Sequence, residues 1–361
     1  MRSKNLLFLS LLLAGTGFLF AGCSDDDNEP EIPEVTEGVF VLNNGNQNTN
    51  NSTLSYYDLA TKKVAADVFQ AKNGRKLGDM GQDMVIYGSK VYITVYGSNT
   101  IEITDRTGKS IKQLTSADGV DNPRNVTAYE GQVYVTFFTG FVARIDTTTM
   151  TLDKKTVKVG RYPEDIVASN GKLYVANSGG MDYNQPAGYD KTVSVIDVNS
   201  FTETQKIEVV INPTRLAVMD NGDIYVISVG NYDAKDIPNT IQRIDSKTNK
   251  VEVIGNATVM ASYHNTLYWI YKQWGVTGTD FVKYDAVTKK VLTENFITDE
   301  TVIDASMLTV DVDPSTGNIY LGSSTSSTVN GDMYIFSPEG KKLDKFEVGI
   351  NPQGAFFLTN K

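Results

Sequence analysis

The sequence predicts an all-β fold: a seven-bladed β-propeller with four-stranded blades, closed by strands from both termini. A short apolar run with an aromatic in second position recurs at Phe40, Tyr92, Tyr134, Tyr174, Tyr225, Tyr268 and Tyr320. Successive aromatics are 52, 42, 40, 51, 43 and 52 residues apart, a spacing that brackets propeller blades and exceeds most helical repeats. Turn-forming residues recur at two fixed places in the unit. The first unit, from Gly38, lacks an inner strand, and Gln353 to Thr359 forms one with nothing after it.

Blade three shows the plan. Asn125 to Tyr129 is the expected inner strand, followed by Gln132 to Phe137, Phe141 to Asp146 and Leu152 to Val159, each bounded by turn residues. Between first and second strands stand Glu130-Gly131, Asn170-Gly171, Asn221-Gly222, His264-Asn265 and Thr316-Gly317-Asn318. Short hairpins need such residues because they tolerate positive φ. Thr107-Gly108, Lys247-Thr248-Asn249 and Glu339-Gly340 do the same between third and fourth strands. Building one blade from both termini removes the two edges that an open ring would expose.

The chain of 361 residues is 40% hydrophobic, 21% charged and 10% aromatic, a globular composition. Its formal charge of -10 argues against a nucleic-acid surface, and a basic membrane-surface patch is equally unsupported. One cysteine and one histidine exclude intrachain disulfides, thiolate zinc sites and mechanisms needing two histidines.

Residues 1–22 read as a secretory leader, with Arg2 and Lys4 ahead of an apolar run. That run ends in Phe20-Ala21-Gly22-Cys23, which resembles the lipobox of bacterial lipoproteins and implies lipidation of Cys23. The stretch to Glu37 holds seven acidic residues and two prolines, the composition of a solvated tether. It resembles the acidic signal of surface-exposed lipoproteins in Bacteroidetes. Residues 23–37 are thus expected to tether a propeller spanning 38–361. Setting leader and tether aside leaves 31 basic against 36 acidic residues, so the folded body is only mildly acidic.

The two faces are unequal. Second-to-third loops and fourth-to-first connections share one face, and its long loops run from Asn43 to Ser52, Asn177 to Asp190, Val229 to Asn239, Lys272 to Thr279 and Ser323 to Asp332. Long loops mark the working face. These carry Asn44 and Asn46, then Tyr183, Asn184 and Tyr189, then Tyr232 and Trp274, with Phe138 on the shorter blade-three loop. Aromatic and amide side chains together provide large contact area and adaptable hydrogen bonds; simple turn formation is the alternative for the Asn run. Arg75, Arg124, Arg161 and Arg215 fall in fourth-to-first connections beside the channel mouth. Two readings stand for them: ligand recognition by a five-donor fork, or pairing with carboxylates such as Asp121, Glu164 or Asp165.

Catalytic and metal signatures are sparse in the sequence. His264 lies in a first-to-second hairpin and therefore on the opposite face. The segment Asp311 to Asn318 alternates Asp with a turn Gly but lacks the bidentate Glu of a calcium loop, and it coincides with a hairpin. Asp79, Asp83, Asp118 and Asp121 are too ordinary to name as catalysts. No catalytic residue, metal ligand or bound cofactor is assigned.

The motifs Asn212-Pro213-Thr214-Arg215, Asn351-Pro352-Gln353-Gly354, Ile196-Asp197 and Ile244-Asp245 resemble the YVTN-type and surface-layer-type propellers. Tether, propeller and near absence of histidine together resemble the BtuG family of outer-surface lipoproteins, over Cys23 to Lys361. That resemblance implies capture of cobalamin or a related corrinoid and its delivery to a TonB-dependent outer-membrane transporter of the BtuB type. It implies bonds from Asn, Gln and Arg side chains to corrin amides and phosphate, with Tyr183, Tyr232 or Trp274 against ring edges. It also implies an outer-membrane, lipid-anchored and surface-exposed location and no enzymatic activity. A glycan-binding surface lipoprotein, a lactonase-type or lyase-type propeller enzyme and an adhesive module are the rival expectations.

Overall fold

The computed structural model describes residues 33–360 apart from residue 275, so the expected leader, Cys23 and the acidic stretch as far as Ile32 lie outside the described residues. Seven antiparallel blades surround a central channel. Blade four, for example, runs outward through Pro163–Ser169, Lys172–Asn177, Thr192–Asp197 and Thr202–Glu208.

Each blade buries its faces against its neighbours. The seven apolar clusters among the described residues each straddle one pair of adjacent blades. One joins Tyr134, Val142 and Val157 of blade three to Ile166, Leu173 and Phe201 of blade four. The repeated aromatics Phe40, Tyr92, Tyr134, Tyr225 and Tyr320 are fully buried there. A single blade would leave both apolar faces wet, so only the closed ring satisfies the pattern.

Closure is as expected: Pro352–Thr359 pairs antiparallel with Thr36–Asn43 as the inner strand of blade one. The first strand starts at Thr36, two residues ahead of the expected boundary. The reason is a latch. The Thr36 hydroxyl donates to the Asp313 carboxylate at 2.5 Å, and its N–H donates to Ser315 Oγ at 3.2 Å.

Two local features depart from the sequence reading. The outer strand of blade three is broken into Thr151–Leu152 and Val157–Lys158. Asp153 interrupts it by accepting the Lys155 N–H at 2.9 Å and the Arg144 guanidinium at 2.6 Å. The connection from blade one to blade two contains a short helix, Val68–Asn73, capped by the Asp67 side chain and by Gly74 at φ 65. It wedges Val68 and Phe69 into the interface between blades one and two.

The loop face is organised by one repeated junction. Met80, Asn122, Tyr162, Asn212 and Asn351, each directly ahead of an inner strand, take left-handed φ between 48° and 62°. Their carbonyls accept the N–H of Tyr96, Phe138, Ser178, Val229 and Asn44, at 2.9 to 3.2 Å. Those partners stand four residues beyond the buried aromatics. Connection and loop of each such blade are therefore fixed to one another.

Asp313 accepts bonds from Thr36, from both the N–H and hydroxyl of Ser315, and from the Thr316 hydroxyl, all in a buried site. Asp313→Ala leaves these donors without an acceptor and frees the first strand. It is expected to lower the unfolding free energy by about 3 kcal/mol, read as a shift in urea midpoint, with Asp313→Asn losing less.

Candidate functional site

Six of the seven inner strands carry a register shift near the start of the strand, five of them just after the junction. Such a bulge re-aims side chains, and here it brings Gln353, Gln82, Arg124, Glu164, Thr214 and Leu308 around one opening. With Thr258 from blade six they line a cavity of about 410 Å³ at the channel mouth.

Blades two to four form the polar side of this mouth. Arg124 donates to Gln82 Oε1 at 2.7 Å and through Nε to Glu164 Oε2 at 2.9 Å. Its guanidinium carbon also lies 4.6 Å from the Phe138 ring centre and 5.4 Å from that of Tyr96, a cation–π arrangement. Blades five to seven contribute the apolar Val229, Val259, Met307 and Leu308 to the opposite side, interspersed with Thr214, Arg215, Tyr232 and Thr258.

Channel carboxylates hold the blades together below the rim. Asp83, Asp165 and Asp311 accept the N–H of Val126, Leu216 and Ala355, each in the next blade, at 2.8 to 2.9 Å. Burial raises the Asp83 carboxyl to about 8, with the Asp165 charge adding to the effect. Burial raises Asp165 and Asp311 to about 6, while Arg215 opposes the rise in all three. Both oxygens of Asp83 are engaged by backbone N–H groups, from Met84 and Val126, so its part is structural.

Beside the mouth lies a second cavity of about 540 Å³, over blades two to four. Tyr96, Phe138 and Tyr162 form its aromatic wall, with Tyr96 to Phe138 centroids 5.8 Å apart and Phe138 to Tyr162 5.0 Å, both edge to face. Asn122, Lys158, Arg161, Met181 and Asp182 complete the rim. Tyr162 occupies the left-handed position that Asn fills in blades three, five and one. An aromatic residue there costs on the order of 1 kcal/mol, and strain of this kind concentrates at binding sites. Arg161 holds the blade-four loop beside the cavity, donating to Asp182 and to the Gly188 carbonyl. Gly179, at φ 59, starts that loop where a Cβ would stand 2.1 Å from the Asp190 nitrogen.

The structure distributes the sequence-chosen residues unevenly. Phe138 and Arg161 line the lateral cavity; Arg124, Arg215 and Tyr232 line the mouth. Tyr232, also at positive φ, meets Tyr189 at 6.3 Å between ring centres. Tyr183 and Trp274 project from the same face, 65% and 91% exposed, and Asn184 is exposed beside Tyr183. Three residues depart from expectation. Asn44 is buried with its amide on the Gly81 carbonyl at 2.8 Å, and Asn46 bonds the Ser327 carbonyl at 2.8 Å, tying blade one to blade seven. Arg75 lies away from the mouth, paired with Glu102 at 2.9 Å and stacked on Phe69, because the short helix carries it toward the outer strands of blade two.

Pairing describes Arg124 with Glu164 and Arg161 with Asp182, whereas Arg215, among the described residues, makes a single 3.4 Å bond to the Leu308 carbonyl. His264 stands on the opposite face beside Asp220 at 3.3 Å. Tyr96, Asn122, Lys158 and Tyr162 were not singled out from the sequence. A signal for the first existed: four residues after the buried aromatic, blades two and three place Tyr96 and Phe138 where other blades have Asn44, Ser178, Val229, Lys272 and Ser324.

A family model described as a domain of unknown function (DUF5074) matches residues 37–357. No curated protein matches by sequence. Among solved structures, a quinonprotein alcohol dehydrogenase-like protein from Bacteroides thetaiotaomicron aligns with a TM-score of 0.64 at 17% identity, covering 89% of this chain and 78% of that one. Apo AztD from Citrobacter koseri gives 0.55 at 11% identity, covering 90% and 99%. A streptogramin B lyase gives 0.56 at 11% identity, covering 81% and 91%. These likenesses are of fold, and propellers host unrelated functions.

Tyr162→Asn restores the residue of the neighbouring junctions and is expected to change unfolding free energy by no more than about 1 kcal/mol, in denaturant titration. The Asp83 carboxyl, raised in the folded state, adds stability that is fully present below the unfolded value near 4 and is lost as pH rises through about 8. Asp83→Asn keeps an acceptor and is expected to flatten the loss between pH 6 and 8, by up to about 1.4 kcal/mol per pH unit. Unfolding followed at several pH values reads this slope.

Proposed function

The chain belongs to the DUF5074 family, and from that premise we propose that it is a capture protein for a corrinoid such as cobalamin, which it binds on the loop face without chemical conversion. The observation that carries the reading is the aromatic wall of Tyr96, Phe138 and Tyr162, kept at the expense of a strained Tyr162 backbone. A wall of this kind suits a large, flat, partly apolar ligand, and the amide-rich and arginine-bearing mouth beside it suits polar substituents at the ligand's edge. Exposed Tyr183, Tyr232 and Trp274 widen the contact surface.

The same proposal gives Cys23 a lipid anchor in the outer membrane, places the propeller outside the cell and hands the ligand to a TonB-dependent transporter of the BtuB type. The glycan reading draws on the 91% exposure of Trp274, which offers a platform for sugar stacking.

Isothermal titration with cyanocobalamin, using protein that begins after Cys23 and is followed in parallel by visible spectrum, tests the proposal. Tight one-to-one binding is expected. Phe138→Ala and Tyr162→Asn should each weaken it by roughly tenfold or more, the latter without loss of stability. Absence of heat and of spectral change at micromolar protein overturns the corrinoid reading, and stacking of oligosaccharides on Trp274, seen as fluorescence quenching, would replace it.

A further inference from the structure

On the face opposite the long loops, the cleft between blades one and two encloses a cavity of about 410 Å³, a size that suits a small molecule. Its floor is apolar: Phe40 and Leu358 of blade one and Val68 of the short helix are buried there. Tyr56 forms one side, its ring 5.4 Å from that of Phe40 and laid across Gly38, where a Cβ would stand 2.2 Å from the phenolic oxygen. The missing side chain of Gly38 gives the ring its place. The walls carry opposite charges, since blade one supplies Glu37, whereas the helix and the third-to-fourth hairpin of blade two supply Lys72 and Arg106. These charges do not meet. Glu37 and Lys72 are exposed, and among the described residues neither side chain enters an ion pair or a hydrogen bond. Arg106 is fixed by donating to the Gly88 carbonyl at 3.1 Å and to the Thr359 carbonyl. Asp105, next to it, is turned into its own hairpin, where it accepts the N–H groups of Thr107 and Lys109.

We propose that this cleft binds a free α-amino acid with an apolar side chain, its ammonium on Glu37, its carboxylate on Lys72 and Arg106, and its side chain on the floor of Phe40, Val68 and Leu358. The site is separate from the loop face and does not rest on the capture reading. The charges select the ligand class. A hydrocarbon would leave every charged group of the cleft unused, an anion would leave Glu37 unanswered, and a cation would leave Lys72 and Arg106 so. A zwitterion answers both walls, and an apolar side chain adds burial against the floor. Arg106 keeps free N–H donors after its two carbonyl bonds, in a fork that matches a carboxylate. Burial raises the Tyr56 hydroxyl above its usual value, with the charges of Asp58 and Glu37 adding to the effect, so a neutral phenol faces the ligand.

Titration of isotope-labelled protein with phenylalanine tests the site, with the backbone amides of Glu37, Val68 and Thr107 as reporters. Saturable shifts are expected at all three. Phenylpropionate, which lacks the ammonium, and phenethylamine, which lacks the carboxylate, should each bind roughly tenfold more weakly, because each leaves one wall unanswered. Glu37→Gln should weaken phenylalanine by a similar factor and leave phenylpropionate unchanged. Lys72→Met should weaken phenylalanine and leave phenethylamine unchanged. Both side chains are exposed and without partners, so the urea midpoint should stay where it is in either variant. No saturable shift with phenylalanine, equal binding of either single-charge analogue, or indifference to both substitutions overturns the proposal.

Discussion

The hydrogen bond that each left-handed junction carbonyl accepts from the backbone N–H beyond the second strand is the constraint on which the working face depends. It joins the connection that enters a blade to the loop that leaves its second strand. Both segments are otherwise free to drift, because loops have little buried surface of their own. With the junction fixed, the following bulge points its residues at the channel mouth, and the loop residue is pinned beside it. The aromatic wall results when two successive blades place Tyr96 and Phe138 at this pinned position and the next blade places Tyr162 at the left-handed one.

Symmetric architecture therefore carries an asymmetric site. Blades two to four bring a bonded Gln82, Arg124 and Glu164 set and an aromatic cavity, whereas blades five to seven bring Val229, Val259 and Met307. Buried Thr94 and Thr136 reinforce the polar side, each donating to a backbone carbonyl of the next blade. The carboxylates in the channel resemble structural latches more than reactive groups, since each accepts a backbone N–H from the neighbouring blade.

Much of the fold was legible because burial repeats. The seven aromatics, the hairpin pairs and the missing first strand all follow from one physical demand, that each blade hide two apolar faces. The site was less legible. Arg124, Arg161 and Arg215 look nearly equivalent, but they stand one residue after, two before and two after their junction prolines, and Arg161 lines the lateral cavity while Arg124 and Arg215 line the mouth. Arg75 was misplaced because a six-residue helix in the preceding connection carries no repeat signal. Asn44 and Asn46 read as ligand amides, yet their partners, Gly81 and Ser327, come from neighbouring blades that local sequence cannot bring into view.

The sequence by itself determined the all-β class, the count of seven blades, the closing strand and the face with long loops, since these depend on local turn chemistry and on a period written in every repeat. Tertiary structure alone decided which side chains converge. The cavity wall joins residues from Tyr96 to Tyr162, the mouth joins Gln82 to Gln353, and the strain at Tyr162 appears only once its backbone is placed. The reason is geometric: a propeller brings the same position of every blade to one axis, so function depends on differences among equivalent positions, and those differences meet only when the ring is closed.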